Sequence, residues 1–300
     1  MDLIVLGTLA LDNIRTPQGI RRDLLGGSAT HFAMAARLFS KVHLAGVIGA
    51  DFPDKHIRFL RRKGIILTSV IEGENRSFRW EGEYKKGEMN TAITVSTQLG
   101  VLEHYLPQVA YNQRSIPNIF LANFDPDLQS QFLHLMERPH FVGMDTMNLW
   151  ISNKKDAVKK LMKKVHLFVV NEGEAHMLSE ETNLIKAAKR LRHMGPQLIV
   201  IKKGEHGALC YCDQFMFSYA AYPVEHVVDP TGAGDTFAGG LMGYLSKIKK
   251  INEQSLKKAV IYGATIASFS VEAFGMDKTS SLTLPQVHNR MKKLVRFIYP

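Results

Sequence analysis

Short apolar segments of strand length alternate with segments of helix length along most of this chain, and this order limits the folds that it can adopt. The runs LIVL, HLFVV and LIVI are apolar at consecutive positions, which is typical of strands buried on both faces of a parallel sheet. Between such runs, Ser28 is a candidate N-cap and Gly64 a candidate helix end. Repeated strand–helix units predict an α/β fold with a doubly wound, mostly parallel sheet flanked by helices. The predicted strands are 3–6, 42–48, 118–122, 140–144, 166–170 and 197–201, and the main predicted helices are 28–39, 53–63, 126–137, 154–164 and 285–298.

One region departs from this order. Residues 68–101 alternate between apolar and polar side chains, as in SFRWEGEY and TAITVST, with glycine-containing turns between the runs. Together with residues 13–23 they predict a small antiparallel sheet outside the main domain. The other interpretation is a surface excursion of hairpins with no separate role.

Length and composition are those of an ordinary globular protein. The 300 residues, with 45% hydrophobic and 22% charged side chains, suit a large α/β domain. No apolar run reaches membrane-spanning length, and the N-terminus MDLIVLG enters a strand pattern without the basic region of a signal peptide. Cys210 and Cys212 would lie on one face of a strand, where neighbours rarely bridge, so two reduced thiols are expected. We therefore predict a cytoplasmic protein without a membrane partner.

The net charge of +10 could indicate nucleic-acid binding, but its distribution favours another interpretation. The excess lies in helix-like runs such as KKDAVKKLMKK, which are typical of solvated helix faces. We therefore predict no nucleic-acid partner. A positive field also suits ATP and anionic substrates, so charge alone does not decide the function.

The segment DPTGAGDTFAGG, residues 229–240, is the most informative motif. It lies between an apolar strand-like run and an apolar helix. The small residues Gly232, Ala233 and Gly234 allow successive backbone N–H groups to converge on an anion at the helix start. Asp235 lies at the same positive helix end, where a carboxylate can stay ionised and accept a proton from a hydroxyl. An anion site beside a base is what phosphoryl transfer from ATP to an alcohol requires.

This segment resembles the second signature of the ribokinase-like (pfkB) family of carbohydrate and nucleoside kinases. In that family the last Asp of GAGD is the catalytic base and the Gly-Ala-Gly backbone forms the anion hole. The resemblance implies those roles for Asp235 and for Gly232, Ala233 and Gly234. It also implies one ribokinase-like domain over residues 1–300, in which the insertions at about 13–23 and 68–101 form a β-sheet lid over the substrate. Since such lids often clasp two subunits, a homodimer through the lid is a further expectation.

The resemblance extends to a set of candidate substrate residues. Gly7 and Asp12 have the spacing of the family's first substrate element, in which an acidic residue holds sugar hydroxyls. The GGSATHFA segment is similar to the family's first signature, except that His31 stands where Asn is usual, which puts transfer of a specific sugar in doubt. A buried structural histidine is the alternative for His31. The substrate candidates by resemblance are Asp12, Gly26, Gly27 and His31, and those at predicted strand ends are Asn123, Asp125, Asp145 and Asn148.

Two further segments that follow predicted strands match the family's nucleotide and metal motifs. Asn171 and Glu174 match its Asn-x-x-Glu motif, which implies that they organise Mg²⁺ partly through water. The KKGEHG segment looks like its nucleotide-side loop, which implies that one of two lysines adds charge near the phosphates. The implied nucleotide-binding residues are Lys202, Lys203, Gly204, Gly207 and Thr231. Acidic helix starts and strand-to-hairpin turns are the structural alternatives.

Asp229 falls where many family members hold a monovalent cation, so K⁺ is a further candidate cofactor beside ATP and Mg²⁺. The absence of a GxxxxGK[ST] motif disfavours a Walker-type ATPase, and the absence of GxGxxG after the first strand disfavours a dinucleotide-dependent dehydrogenase.

The motifs together predict a carbohydrate kinase that transfers phosphate from ATP to a hydroxymethyl group of a sugar or sugar-like molecule. Two alternatives stay open from the sequence. One is a nucleoside kinase, which an aromatic sandwich from Phe78, Trp80 or Phe124 would favour. The other is a non-catalytic regulator that binds a sugar or nucleotide.

Overall fold

A computed structural model describes residues 1–298 of the chain and shows two sheets of unequal size. The strands are β1 (Asp2–Leu6), β2 (Ala10–Thr16), β3 (Gly19–Gly26), β4 (Lys41–Gly49), β5 (Ile66–Gly73), β6 (Arg79–Glu83), β7 (Ile93–Gln98), β8 (Asn118–Leu121), β9 (Phe141–Asp145), β10 (Leu167–Asn171), β11 (Leu198–Lys202), β12 (Ala208–Tyr211) and β13 (Met216–Tyr219). The α-helices are α1 (Ser28–Ala36), α2 (Asp54–Arg62), α3 (Pro126–His134), α4 (Asn148–Asn153), α5 (Lys155–Met162), α6 (Glu172–Ser179), α7 (Leu184–His193), α8 (Ala233–Leu245), α9 (Glu253–Ser270), α10 (Asp277–Ser281) and α11 (Leu284–Ile298).

The large sheet has nine strands in the order β13-β12-β11-β10-β9-β8-β1-β4-β5. All neighbours from β11 to β5 run parallel, and the β12–β13 hairpin adds an antiparallel edge. Separate apolar cores lie on the two faces, one around Phe32, Phe120 and Leu241 and the other around Phe132, Phe168 and Ile199. This confirms the predicted doubly wound, mostly parallel sheet. The consecutive apolar residues of each central strand are explained by this burial on both faces.

Local capping chemistry determines where several helices begin. The first helix begins at Ser28, but its N-cap is Gly27 with φ 96° rather than Ser28 as predicted. Ser28 instead donates from Oγ to the carbonyl of Asn123 at 3.0 Å and accepts the amide of Thr8 at 3.1 Å. The helix α6 begins with a capping box in which Asn171 and Glu174 exchange side-chain-to-backbone hydrogen bonds.

The small sheet has four strands in the order β3-β2-β6-β7. Its strands lie within the two predicted insertions and their flanks, with two differences from the sequence prediction. Residues 66–73 form β5 at the edge of the large sheet, so the second excursion begins after Gly73. The pairing of β2 with β6 is parallel, whereas β2–β3 and β6–β7 are antiparallel. A parallel pair joins strands distant in sequence, which alternation alone cannot reveal.

A small apolar cluster joins this sheet to the main body. Ile14 of β2 and Tyr84 after β6 pack with Phe274, which follows α9. The small sheet is thereby attached to the segment after α9, and Val228, which packs on the same cluster, shortly precedes the Gly-Ala-Gly-Asp turn of α8. Across residues 1–298, no helix combines the length and apolar character needed to cross a lipid bilayer.

Candidate active site

The carboxyl ends of three adjacent parallel strands bring polar residues to one edge of the large sheet. Asp145 ends β9, Asn171 ends β10 and Lys202 ends β11, and Asn171 pairs in register with Lys202. Such an edge is where open α/β sheets bind ligands. The β-strand pleat places Lys202, rather than Lys203, toward the neighbouring helix start, since a side chain at Gly234 would approach Nζ of Lys202 to 2.7 Å.

The Gly-Ala-Gly-Asp turn begins α8, a helix of 13 residues. Gly232 is its N-cap with φ 71°, and the turn is closed by the amide of Thr236, which donates to the Gly232 carbonyl at 2.8 Å. The amide of Ala233 is already bonded to the carbonyl of Pro230 at 3.1 Å, whereas in residues 1–298 no backbone acceptor bonds the amide of Gly234. Open N–H groups in a first turn, together with the helix dipole, are the features that favour an anion at a helix start.

Asp235 lies in the first turn of α8 and is partly buried. Burial, together with the nearby carboxylate of Glu174, raises its pKa to about 7, although the Lys202 ammonium opposes the shift. Asp145 faces the same groups, and its pKa is raised well above the usual range by burial and by Asp235. Three carboxyl groups therefore share one close cation. A carboxyl group whose pKa lies near neutrality is suited to accept a proton at working pH.

Asp145 and Glu174 supply oxygen atoms that the protein does not fully use. Oδ1 of Asp145 is buried and has no hydrogen-bond partner among residues 1–298. Glu174 uses Oε2 to accept the amide of Asn171 at 2.8 Å, and burial raises its pKa. Hard oxygen donors of this kind fit Mg²⁺ that keeps some of its water. Within residues 1–298, no three acidic, histidine or cysteine side chains converge closely enough to hold a metal ion by themselves.

Asp12 points from β2 of the small sheet toward the same region. It is buried, and a side chain at Gly26 would overlap its carboxylate. Burial, followed by the carboxylate of Asp229, raises the pKa of Asp12 to about 8, although the Gly27 backbone N–H opposes the shift. The three predicted residues Asp12, Gly26 and Gly27 thus form one continuous surface. Among residues 1–298, no cationic side chain pairs with the Asp12 carboxyl group.

His31 lies on α1 with 2% of its surface exposed, and its ring packs where a side chain on Gly232 would be. Burial lowers its pKa to about 4, so the imidazole is neutral near pH 7. Its Nδ1 has no partner among the described residues. The ring therefore connects the first signature, on α1, to the anion-binding turn of α8.

Asp229 and Thr231 brace the turn before α8. The Asp229 carboxylate accepts the amides of Thr231 and Gly275, each at 2.9 Å, and it is 1% exposed. Burial raises its pKa, which these hydrogen bonds oppose. Thr231 donates from Oγ1 to the hydroxyl of Tyr84 at 3.2 Å, so the lid contacts this turn directly.

The predicted nucleotide-side loop is a tight turn at the end of β11. The amide of Lys203 donates to the carbonyl of Gly207 at 2.8 Å, and the loop needs φ 55° at Gly204 and φ 90° at Gly207. The lid reaches this loop as well, because Asn90 donates to Glu205 and its side chain occupies the space beside Gly204. Lys203 is therefore separate from the Asp235 cluster, to which Lys202 belongs.

The strand-end candidates have different surroundings. Asp145 lies beside Lys202 and Asp235. Asn123 is bonded to Nε1 of Trp150 at 3.0 Å, and Asp125 caps α3 and pairs with Lys154. Asn148 is exposed at the start of α4. Sequence reasoning missed Tyr84 and Asn90, because lid contacts join residues more than 100 positions apart and leave no local pattern.

Comparison with known proteins shows which family and which fold this chain resembles. The model of the pfkB family of carbohydrate kinases matches residues 4–282. A cytidine kinase of Thermococcus kodakarensis is 28% identical over 265 residues, which are 84% of this chain and 91% of that protein. An uncharacterized sugar kinase of Archaeoglobus fulgidus is 39% identical over 226 residues, 73% and 88% of the two chains. In the solved structures, a putative ribokinase II from E. coli in complex with ATP and Mg²⁺ has a TM-score of 0.82 at 17% identity, over 97% of this chain and 99% of that one.

Proposed function

This chain belongs to the pfkB family of carbohydrate kinases, and from that premise we propose how its residues divide the work of phosphoryl transfer. It is an ATP-dependent phosphotransferase whose acceptor is an alcohol group of a sugar or sugar-like molecule. The observation that carries the assignment of roles is the position of Asp235. Its carboxyl group lies at the anion-binding start of α8, beside Lys202 and with a pKa near 7.

In the proposed mechanism, Asp12 and the backbone at Gly26 and Gly27 bind acceptor hydroxyls. Asp235 accepts the proton of the acceptor's hydroxymethyl group while the hydroxyl oxygen of that group attacks the γ-phosphorus of ATP, and ADP leaves. The amides of Gly234 and Asp235 stabilise the charge that develops on the phosphoryl oxygens. The lid contacts made by Tyr84 and Asn90 exclude water and so limit hydrolysis of ATP.

The nucleotide and ions are assigned from the donor groups. We assign the ATP phosphates to the α8 turn, to Lys202 and to the loop of Gly204 and Gly207. Thr231 and Lys203 would lie at the margin of this phosphate site. Asn171, Glu174 and the unpartnered oxygen of Asp145 would hold Mg²⁺ through water, and the ion would neutralise phosphate charge. For a monovalent cation we propose Asp229, because the described residues give this buried carboxylate no cationic partner.

The acceptor proposed here is a nucleoside, which is phosphorylated on its ribosyl hydroxymethyl group. Trp80 pairs in register with Asp12, so both side chains lie on the same face of the small sheet. The indole occupies the space that a side chain on Gly82 would fill, and it donates from Nε1 to Thr94 at 3.2 Å. A fixed aromatic ring beside a hydroxyl-binding carboxyl group suits a stacked base, and the cytidine kinase relative supports this class. Phe124 is buried in the core against Tyr105 and is excluded from such a role.

A coupled ADP-release assay tests the acceptor class. We expect nucleosides to stimulate ADP release more than free sugars or polyols, and Trp80→Leu to raise the nucleoside KM about tenfold, since stacking contributes about 1–3 kcal/mol. The KM for ATP should stay unchanged. Tyr111→Leu, at an exposed aromatic outside the lid, is the control. Stimulation by free sugars alone would contradict a nucleoside acceptor and indicate a kinase for free sugars.

The proposed cation site is tested by the same assay in K⁺ and in Na⁺, with Asp229→Asn as the variant.

The pH dependence of kcat/KM should report the state of Asp235. A base with a raised pKa is protonated and inactive below that pKa, so activity should rise with pH and level off above an apparent pKa near 7. Lys202→Met removes the ammonium that opposes the shift, so the acid limb should move to higher pH. An acid limb that stays in place in Lys202→Met would contradict this electrostatic coupling.

We propose that the lid also joins two copies of the chain. The edge strand β7 is exposed along its length, and Ile93 and Val95 are 41% and 56% exposed on one face. Val95→Glu should shift a dimer to monomers in light scattering coupled to size exclusion. Ile185→Glu, at a comparably exposed apolar residue on α7, should leave the mass unchanged. A monomeric wild-type chain at micromolar concentration would contradict the proposal.

Two smaller assignments complete the proposal. Cys210 and Cys212 are both free and buried, which supports a reducing, cytoplasmic location. Basic helix residues such as Arg58, Lys155 and Lys257 pair with carboxylates. This pairing supports the interpretation of the positive charge as solvated helix faces without a nucleic-acid partner.

A further inference from the structure

A second cavity lies at the opposite edge of the large sheet from the active site. Its volume is about 620 Å³, and we call it the basal cavity. Asn118, Phe141 and Leu198, the first residues of β8, β9 and β11, line it. Asp145 and Lys202, which belong to the active site, are the last residues of β9 and β11. The basal cavity is therefore separated from the phosphoryl-transfer site by the full length of the strands.

The walls of the basal cavity combine an apolar surface with positive charge. Phe141, Phe215 and Leu245 contribute apolar surface, and the loop between α8 and α9 contributes Lys249 and Lys250. Arg192 of α7 provides a third positive group. Asp213, the carboxylate that contacts this cluster, is paired with Nη2 of Arg192 at 2.6 Å. The charge that remains around the cavity is positive.

Arg192 also leaves a donor without an acceptor. Its Nε is buried and has no hydrogen-bond partner among residues 1–298. A buried guanidinium N–H that lacks an acceptor is unfavourable. A ligand in the cavity would meet the accessible part of the Arg192 side chain, which is 25% exposed, rather than Nε. Guanidinium groups bind phosphate oxygens with favourable geometry, and the two neighbouring lysines would add charge.

We propose that the basal cavity binds a small organic phosphate whose body is apolar or aromatic, a nucleotide being the best match. The phosphate would accept from Arg192 and lie near Lys249 and Lys250, while the body would pack on Phe141 and Phe215. Cavities of this volume are typical of small-molecule sites. Such a ligand would bind apart from the substrates, and the inference does not depend on the class of the acceptor.

Isothermal titration of the full chain tests this site after the nucleotide site is filled with Mg²⁺ and a non-hydrolysable ATP analogue. The probes are CMP, ribose 5-phosphate and inorganic phosphate. Uncharged cytidine, a candidate acceptor, is titrated beside them to report binding at the acceptor site alone. We expect CMP to bind, and Arg192→Gln or the double variant Lys249→Gln/Lys250→Gln to weaken binding about tenfold or more. Lys292→Gln/Lys293→Gln, an exposed pair on α11, should bind CMP as the wild type does.

The variants also distinguish the basal cavity from the acceptor site. Binding that is lost in Arg192→Gln and kept in Asp12→Ala supports the basal cavity, and the reverse pattern overturns it. Equal affinities for CMP and inorganic phosphate would support the phosphate site. They would contradict the proposed contact between the organic body and the apolar walls. Failure of all three phosphates to bind the wild type at millimolar concentration would overturn the proposal. Arg192→Gln should keep the wild-type kcat when no added phosphate compound is present.

Discussion

Asp235→Asn should lower kcat about a thousandfold, within the range of about 10²–10⁴ expected when a general base is removed. Asparagine has nearly the shape of aspartate but cannot accept the hydroxyl proton. The open amides of the α8 turn and the loop at Gly204 and Gly207 are untouched, so nucleotide affinity should remain close to that of the wild type. Single-turnover kinetics and titration with a non-hydrolysable ATP analogue would measure the two effects separately.

The matched control is Asp156→Asn, because this carboxylate also lies in the first turn of a helix, α5. This variant should retain wild-type kcat. A turnover of Asp235→Asn within tenfold of the wild type would contradict the assignment of the base. A parallel loss of nucleotide binding would indicate instead that the variant had damaged the anion-binding turn.

Gly232→Ala should both destabilise the protein and disable the anion-binding turn. Its φ of 71° lies in the left-handed region, and an added methyl would meet the buried ring of His31. Backbone strain of this kind costs about 1–3 kcal/mol. The overlap between the added methyl and the His31 ring adds a further cost. We expect the free energy of unfolding to fall by about 3 kcal/mol and kcat by about a hundredfold, since displaced oxyanion donors cost that much elsewhere.

A second glycine separates the two causes. Gly64 has φ 78° after α2, and an added methyl there would meet no atom within 4 Å. Gly64→Ala should therefore show the backbone cost alone and leave kcat unchanged. The double variant Gly232→Ala/His31→Ala should recover part of the lost stability, because it removes the ring overlap. Equal stabilities of Gly232→Ala and Gly64→Ala would show that the ring contact has no energetic consequence. Denaturant unfolding and steady-state kinetics give all of these values.

The match between sequence and structure is best where the signal is local. The consecutive apolar residues of the central strands correctly predicted burial on both faces of a parallel sheet. The glycines at 232 and 234 predicted an open helix start, because both the left-handed turn and the exposed amides depend on the absence of side chains there. Boundaries were less accurate, as at Ser28, where Gly27 occupies the cap.

The sequence was least informative where distant strands meet. Alternation over residues 68–73 looked the same as alternation in the lid, although those residues join the large sheet by pairing with β4. The substrate role of Asp145 stays a prediction, since its position beside Lys202 and Asp235 depends on strand order rather than on local sequence. A strand end predicts an edge of the sheet, but strand order decides which neighbours share that edge.

The sequence by itself determined the α/β class, the glycine-rich turn at the start of α8 and the identity of the candidate base, since each depends on residues that are close in the chain. Only the tertiary structure decided that Lys202 rather than Lys203 faces Asp235, that Asp145 and Glu174 share its surroundings, and that His31 packs on Gly232. The physical reason is that burial and electrostatic coupling act through space. They depend on strand order and helix packing, which bring together residues that the chain keeps far apart.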